Sequence, residues 1–134
     1  VLMGGGTGFA PLKSMIEELI EAGDPRPVQL FWGVRTQSDL YARELIERWT
    51  QIHPNLRFTP VLAEPDSDWH GARGLVHAAV LDQVAELPDY DVYMSGPPAM
   101  VSAGRSAFLD AGLSEDRLFY DSFDFAPDVP IASS

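Results

Sequence analysis

Residues 1–11 read VLMGGGTGFAP, an apolar start followed at once by a run of glycines. The apolar start is typical of a buried strand, and glycine permits positive φ angles and a close approach of backbone N–H groups to a ligand. Pro11 suits the first turn of a helix, where its missing N–H costs nothing. A glycine turn between a strand and a helix N-terminus is a common phosphate-binding feature. The spacing fits neither G-x-G-x-x-G nor a Walker P-loop, so a tight turn without a ligand is the alternative to the nucleotide-binding turn that we favour.

The rest of the chain alternates between short apolar runs and stretches in which apolar residues recur at helical spacing. We predict strands at residues 1–3, 28–32, 58–62, 91–94 and 118–123, and helices at about residues 10–22, 39–51, 75–85 and 97–111. Strands that alternate with helices of this length indicate βαβ units and a parallel sheet. The predicted fold is therefore α/β, a doubly wound five-stranded parallel sheet of order 3-2-1-4-5 with helices on both faces.

A second glycine turn, SGPPAM at residues 95–100, follows the fourth predicted strand. In an open α/β sheet, ligands bind beyond the carboxyl ends of the strands where the strand order reverses, and strands one and four flank that point here. The two turns should therefore lie side by side. We expect Gly96 to let a flat ring approach the backbone, Pro97 and Pro98 to stiffen the floor, and Ser95 to offer a hydroxyl at the mouth of the crevice. The polar stretch 64–74 is predicted to be a loop that lines this crevice.

The net charge and the amino-acid composition of the chain restrict the kinds of ligand and surface that it can bind. Nine basic and twenty acidic residues among 134 give a net charge of −11, which argues against nucleic-acid binding and against docking on an anionic membrane. The chain contains no cysteine, so a disulfide, a cysteine-ligated metal and a thiol nucleophile are excluded within it. We predict no metal site, no membrane span and a cytoplasmic location.

Four motifs occur in order: GGGTGFAP at residues 4–11, FWGVR at 31–35, SGPPAM at 95–100 and FYDSF at 119–123. In this combination, over nearly its whole length, the chain resembles the NAD(P)-binding domain of the ferredoxin–NADP reductase superfamily, especially reductases of oxygenases and of CDP-6-deoxy-hexulose dehydrases, and flavin reductases. The resemblance implies an NAD(P)H-dependent flavin oxidoreductase, an electron-transfer component. Such a protein positions the nicotinamide for hydride transfer to FAD or FMN, and the electrons then pass to an iron–sulfur centre or another acceptor.

The resemblance also assigns site residues. Ser95, where many family members have cysteine, and Asp121, where glutamate is common, would take the catalytic positions. Phe123 would stack near the flavin, with Phe125 as its rival. The remaining cofactor-binding positions implied for this chain are Gly5, Gly6, Thr7, Gly8, Pro11, Arg35, Gly96, Pro97, Pro98 and Met100.

The choice of nicotinamide cofactor depends on the turn after the second strand, which reads GVRTQSD at residues 33–39. An acidic residue there binds the ribose hydroxyls of NADH, and an arginine accepts the 2′-phosphate of NADPH. Asp39 and Arg35 are both available, so NADPH stays open. We favour NADH, because the oxygenase reductases that the chain resembles mostly use it and because no second cation lies in this turn.

We interpret residues 1–125 as the reductase domain and residues 126–134 as a C-terminal tail of a longer protein that is cut at or before its first strand. The resemblance implies an upstream domain that holds the FAD or FMN, a [2Fe–2S] centre possible elsewhere, and a redox acceptor protein or small molecule as partner. The isolated chain is accordingly expected to be colourless and inactive.

Two other classes of protein compete with this interpretation. An S-adenosylmethionine-dependent methyltransferase also joins its first strand to a glycine turn, but it would need an acidic residue near that turn, where the chain has Met3 and Gly4. A receiver-like regulatory module would need acidic residues at the strand ends, where glycines stand instead.

Overall fold

The computed structural model describes residues 1–122. The predictions for Phe123, for its rival Phe125 and for the tail at 126–134 lie outside these residues. The strands are β1 Leu2–Gly5, β2 Val28–Val34, β3 Leu56–Leu62, β4 Ala72–Arg73, β5 Val92–Gly96 and β6 Leu118–Ser122. The α-helices are α1 Phe9–Glu21, α2 Arg43–Ile52, α3 Val76–Gln83 and α4 Pro98–Asp110.

All strand pairs are parallel, and the order in the sheet is β4-β3-β2-β1-β5-β6. The five predicted strands are β1, β2, β3, β5 and β6, and their predicted order is confirmed. The predicted strand count was wrong, because β4 forms at the edge inside the stretch expected to be a loop. It pairs only Ala72 and Arg73 with Val61 and Leu62, and two residues are too few to show a period in the sequence.

Helices cover both faces of the sheet, as predicted. One core contains Leu12 and Ile16 of α1 and Trp49 of α2, packed on Leu30 and other residues of the strands. The opposite core contains residues of α3 and α4, packed on strand residues of the other side. Neighbouring strand residues point to opposite faces, so the central strands are apolar on both sides.

Local turns shift the element boundaries. Residues 37–39 form a 3₁₀ turn, so α2 begins at Arg43 instead of 39. Asp39 Oδ2 accepts hydrogen bonds from the Thr36 backbone N–H at 3.1 Å and from the Thr36 hydroxyl at 3.2 Å, which closes this turn. Within residues 1–122, no helix has the length and apolar character that a bilayer crossing requires.

Candidate functional site

The two glycine turns lie side by side. Strand β1 pairs with β5, and Gly4 stands opposite Ser95. A Cβ added at Gly8 would lie 2.6 Å from the carbonyl carbon of Ser95 and 2.9 Å from Cα of Gly96. Since real Cβ atoms do not approach other atoms this closely, Gly8 is what allows the backbones of the two turns to touch. We call this contact line the seam.

Gly6 presents the open part of the first turn. Its φ of 55° is left-handed, which glycine adopts without strain. No atom lies within 4 Å of the place that a Cβ would take. On the neighbouring strand β2, the indole Nε1 of Trp32 donates to the Gly6 carbonyl at 2.9 Å. The Trp32 ring also stacks on Phe9, with ring centroids 4.5 Å apart. The turn is therefore held by the sheet and open toward solvent.

Two helix N-termini begin at the seam without side-chain caps. Gly8 is the N-cap of α1 and Pro97 that of α4, and neither residue type has a side-chain acceptor. The first turns of both helices contain no acidic residue. Free N–H groups and the positive end of the helix dipole favour an anion at such places. Pro11 lies in the first turn of α1, and Pro98 opens α4.

The wall of the seam is formed by Met100. A Cβ at Gly96 would lie 2.8 Å from its Cε, and a Cβ at Gly5 would overlap its sulfur. The thioether of Met100 therefore packs over both glycines. Because the side chain is only partly buried, it gives the seam an apolar surface against which a flat ring can lie.

Ser95 occupies a different environment from the one expected. The sequence placed its hydroxyl at the mouth of the crevice, but the residue is fully buried, with 0% exposure. The reason is that β1 and β6 pair on either side of it while Gly8 packs on its carbonyl. Its Oγ has no hydrogen-bond partner among the described residues. An unpaired buried hydroxyl is unfavourable, and a bound group would pair with it only by displacing the residues that cover it.

Asp121 stands opposite Ser95 on the neighbouring strand. It is exposed, and the hydroxyl of Tyr93 donates to its Oδ2. Burial raises the pKa of Tyr93 to about 12, with a further contribution from the hydrogen bond to Asp121 and from its charge. The phenol is therefore a neutral donor at physiological pH, which fixes the carboxylate at the end of β6.

Arg35 lies on the other side of the first turn. It borders a cavity of about 510 Å³ together with Gly6, Val34, Ser38, Asp39 and Tyr41. Arg35 is exposed and forms no ion pair with any other residue in the range 1–122. Asp39 keeps one oxygen engaged in the Thr36 turn. The cavity thus offers a guanidinium and a carboxylate to the same ligand.

The structure brings most of the predicted site residues to one edge of the sheet. Gly5, Gly8, Gly96 and Met100 meet at the seam, Thr7 lies in the 3₁₀ turn between β1 and α1, and Asp121 is two strands from β1. Sequence reasoning missed Trp32 and Tyr41, whose rings contact each other edge to face at 4.9 Å.

A further signal in the sequence was also missed. Residues 1–16 and 92–109 contain no aspartate or glutamate, although the chain carries twenty of them. These are the two segments that contain the glycine turns. A chain with a charge of −11 therefore keeps its acidic residues out of the turns, which leaves them suitable for a negatively charged ligand.

The fold and the seam define a doubly wound α/β nucleotide-binding domain, with the ligand edge at the point where the strand order reverses. The family model of the oxidoreductase NAD-binding domain matches residues 2–106. The chain belongs to this family, and it is an NAD(P)-binding domain of the ferredoxin–NADP reductase type, as the sequence motifs implied.

Known proteins of this kind are similar over nearly the whole chain. The CDP-6-deoxy-L-threo-D-glycero-4-hexulose-3-dehydrase reductase of Yersinia pestis is 42% identical, and the match covers 92% of this chain and 37% of that protein. An NAD(P)H-flavin reductase of Vibrio harveyi is 32% identical, with 93% and 53% covered. The crystal structure of an Amycolatopsis cytochrome P450 reductase superposes with a TM-score of 0.85 at 33% identity, covering 92% of this chain and 37% of that one.

The chain thus spans between about a third and a half of the length of these relatives. Their names describe reductases, and they give the methyltransferase alternative no support.

Proposed function

We propose that this domain binds a reduced nicotinamide dinucleotide along the seam and presents it to a flavin held by a preceding domain of a longer protein. The observation that carries the proposal is the contact of Gly8 with Ser95 and Gly96, which joins two uncapped helix N-termini into one ligand edge. When bound, the nicotinamide supplies a hydride and the flavin accepts it. The protein's contribution is to bind, orient and exclude water.

The described residues fit such a ligand. The exposed backbone of Gly6 and the N–H groups at the start of α1 would hold the pyrophosphate. Pro97, Pro98 and Met100 would form the wall for the nicotinamide ring. Ser95, whose Oγ is buried and unpaired, would lie beneath the reacting ring, and Asp121, held by Tyr93, would set the polarity at the flavin side.

The cavity at Arg35 would take the adenosine ribose. We favour NADH, since Asp39 offers a carboxylate oxygen to ribose hydroxyls and Arg35 is the only cation that borders this cavity among the described residues. Arg35→Ala is then expected to weaken NADPH binding about tenfold or more, because one charge-assisted contact to phosphate is lost, and to change NADH binding by less than about twofold. Calorimetric titration of both nucleotides measures this difference, and an equal loss for the two would contradict the ribose assignment.

In the longer protein, we propose that electrons leave the flavin one at a time for an iron–sulfur centre or another acceptor. The relatives include a protein named as the reductase component of a phenol 2-monooxygenase, and a protein acceptor is the corresponding proposal for this chain.

Calorimetry with NADH, NADPH and S-adenosylmethionine on the 134-residue chain tests the proposal. We expect one nicotinamide nucleotide per chain, no binding of S-adenosylmethionine and no yellow colour in the purified chain. Binding of S-adenosylmethionine without nicotinamide binding would overturn the proposed function.

A further inference from the structure

The buried ring of Trp32 connects the first glycine turn to the sheet. Trp32 has 0% exposure, and it stands opposite Gly4 in the pairing of β1 with β2. Its indole Nε1 donates to the carbonyl of Gly6 at 2.9 Å, two residues beyond the paired position. The ring therefore reaches past the end of β1 and binds the backbone of the turn itself.

This hydrogen bond sets the direction of one peptide group. Residues 1–122 contain no cis peptide bond, and in a trans peptide the C=O and the following N–H point in opposite directions. Because the Gly6 carbonyl is directed at Trp32, the backbone N–H of Thr7 is directed away from the indole. That N–H belongs to the segment between β1 and α1, where the pyrophosphate is proposed to bind.

The turn does not select this orientation by its own sequence. Residues 4–6 are all glycine, and glycine adopts positive and negative φ about equally readily. Packing does not hold Gly6 either, since no atom lies within 4 Å of the place that a Cβ would take. The hydrogen bond from Trp32 therefore favours the left-handed φ of 55° over the alternatives that a free glycine would visit.

Two aromatic rings keep this hydrogen bond out of water. Phe9 stacks on Trp32 with ring centroids 4.5 Å apart, and Tyr41 contacts it edge to face at 4.9 Å. Tyr41 is 64% exposed, more than Phe119 at 50% on the edge strand β6, and it borders the cavity of about 510 Å³ together with Gly6. It therefore covers the indole on the side of that cavity. In a dry environment a hydrogen bond is stronger and an unpaired carbonyl is more costly than in water.

From these contacts we infer that Trp32 is a positioning residue for the dinucleotide, because its indole holds the Gly6 peptide so that the Thr7 N–H is available to the pyrophosphate. The inference rests on the proposed function, and it adds to the site a residue that acts through the backbone of the turn. A peptide that is already fixed loses less conformational entropy on binding than a free glycine turn would. Affinity for the dinucleotide should therefore depend on one buried N–H group.

Calorimetric titration of the 134-residue chain with NADH tests the inference, and Trp49 provides the matched control. Trp49 is also buried, with 4% exposure, and its ring lies 6.1 Å from Phe9 in the same core, but it stands on α2, outside the glycine turns. Trp32→Phe and Trp49→Phe remove the same atoms. We expect Trp32→Phe to weaken NADH binding about tenfold, the effect of one lost hydrogen bond, and Trp49→Phe to weaken it less than about twofold.

ADP-ribose separates the pyrophosphate from the nicotinamide. It contains the adenosine and the pyrophosphate of NADH but no nicotinamide ring. Because Trp32 is inferred to act on the pyrophosphate turn, Trp32→Phe should weaken ADP-ribose binding by the same factor as NADH binding.

The indole proton of Trp32 gives a readout that a purely structural role would leave unchanged. An anion bound to the Thr7 N–H polarises the carbonyl of the same peptide, which strengthens the hydrogen bond from Trp32. In NMR spectra of the wild type, the Trp32 indole proton should therefore move downfield when NADH, ADP-ribose or inorganic pyrophosphate is added. The Trp49 indole proton should keep its position, and Trp32→Phe assigns the Trp32 resonance by its disappearance.

A second variant covers the case in which Trp32→Phe does not fold. Benzothienylalanine in place of Trp32 keeps the shape of the ring and has sulfur where the indole has N–H. We expect it to lower the affinity for NADH as Trp32→Phe does, while the same replacement of Trp49 should have little effect.

The outcomes distinguish the two proposals. Equal NADH affinity in the Trp32 and Trp49 variants, or a Trp32 indole proton that does not move at saturating NADH, would overturn the positioning role while leaving the proposed function intact. A wild-type chain that binds neither NADH nor ADP-ribose would overturn both.

Discussion

Gly8 allows the two turns of the site to pack against each other, because a side chain at this position would clash with Ser95 and Gly96. Gly8 lies where any side chain would meet the backbone of β5, and that backbone cannot move away because β5 is paired on both sides. Gly6, two residues earlier, has open space around it and a left-handed φ of 55°. The two glycines are therefore required for different reasons, the first for packing and the second for conformation.

Gly8→Ala should destabilise the domain by about 3 kcal/mol, the upper part of the range for overpacking, and weaken NADH binding because the seam opens. Gly6→Ala is the control for conformation alone and should cost about 1 kcal/mol for a left-handed alanine. Urea unfolding monitored by circular dichroism measures both values. A Gly8→Ala variant as stable as Gly6→Ala would show that the turns do not touch.

A second prediction concerns the pKa of the Tyr93 phenol. Its pKa is raised to about 12 by burial and by Asp121, so the folded protein keeps the phenolic proton between pH 10 and 12, where the unfolded chain releases it. This contribution to stability is therefore lost as the pH rises through that window. Asp121→Asn should lower the pKa of Tyr93 toward its ordinary value, while burial keeps it somewhat raised.

The measurement is an NMR titration of ring-labelled tyrosine. Asp110→Asn removes an exposed carboxylate at the end of α4, which packs on the face of the sheet opposite to Tyr93, and should leave the Tyr93 titration unchanged. If both variants titrate like the wild type, the hydrogen bond between Tyr93 and Asp121 is absent in solution.

Among the elements, α1 combines a structural weakness with a binding role. Its N-cap is Gly8 and its first turn has no acidic residue, so the helix lacks the stabilisation that a carboxylate would give at its positive end. The same omission leaves the N–H groups available to a phosphate. An acidic residue in this first turn would therefore stabilise the helix and weaken the binding of an anion.

Ala10→Glu separates these two effects. Ala10 is exposed in the first turn of α1, and a glutamate there should stabilise the domain by about 0.5 kcal/mol while it weakens NADH binding tenfold or more by repelling the pyrophosphate. Ser14→Glu adds the same charge beyond the first turn and should leave binding nearly unchanged. Thermal unfolding and calorimetry give the two quantities, and unaltered affinity in Ala10→Glu would remove α1 from the phosphate site.

Comparing α1 with β4 shows which secondary-structure elements a local sequence pattern can predict. Helix α1 is amphipathic and begins at a glycine turn, so its existence and position follow from the sequence to within one residue. Strand β4 forms from two residues that only complete a backbone ladder with β3. No side-chain pattern encodes such a strand, which is why it was predicted as loop.

For the molecule as a whole, the buried amino terminus predicts a pH dependence of stability. Burial lowers the pKa of the Val1 ammonium from 8.0 to about 6, against the opposing effect of Asp91. Between these values the unfolded chain binds more protons than the folded one, so stability rises with pH across this window. The full effect of this pKa shift on the free energy of unfolding is about 2–3 kcal/mol.

Urea unfolding of the 134-residue chain at pH 5.5, 7 and 8.5 checks this slope. The same chain with an acetylated Val1 is the control, because it cannot titrate there, and it should show the smaller dependence. Parallel curves for the two forms would mean that the amino group is solvated in the folded state.

The sequence by itself determined the alternation of strands and helices, the strand order and the two glycine turns with their nucleotide chemistry. These features depend on hydrophobic periodicity and on glycine and proline, whose effects are local along the chain. Tertiary structure alone decided that Ser95 is buried, that Gly8 is a packing residue, that Tyr93 holds Asp121 and that Phe119 lies uncovered. Each of these facts depends on which residues of distant strands become neighbours, and on which part of the sheet four helices leave bare. Parallel pairing sets those relations, because it brings together residues that are far apart in the chain and share no local pattern.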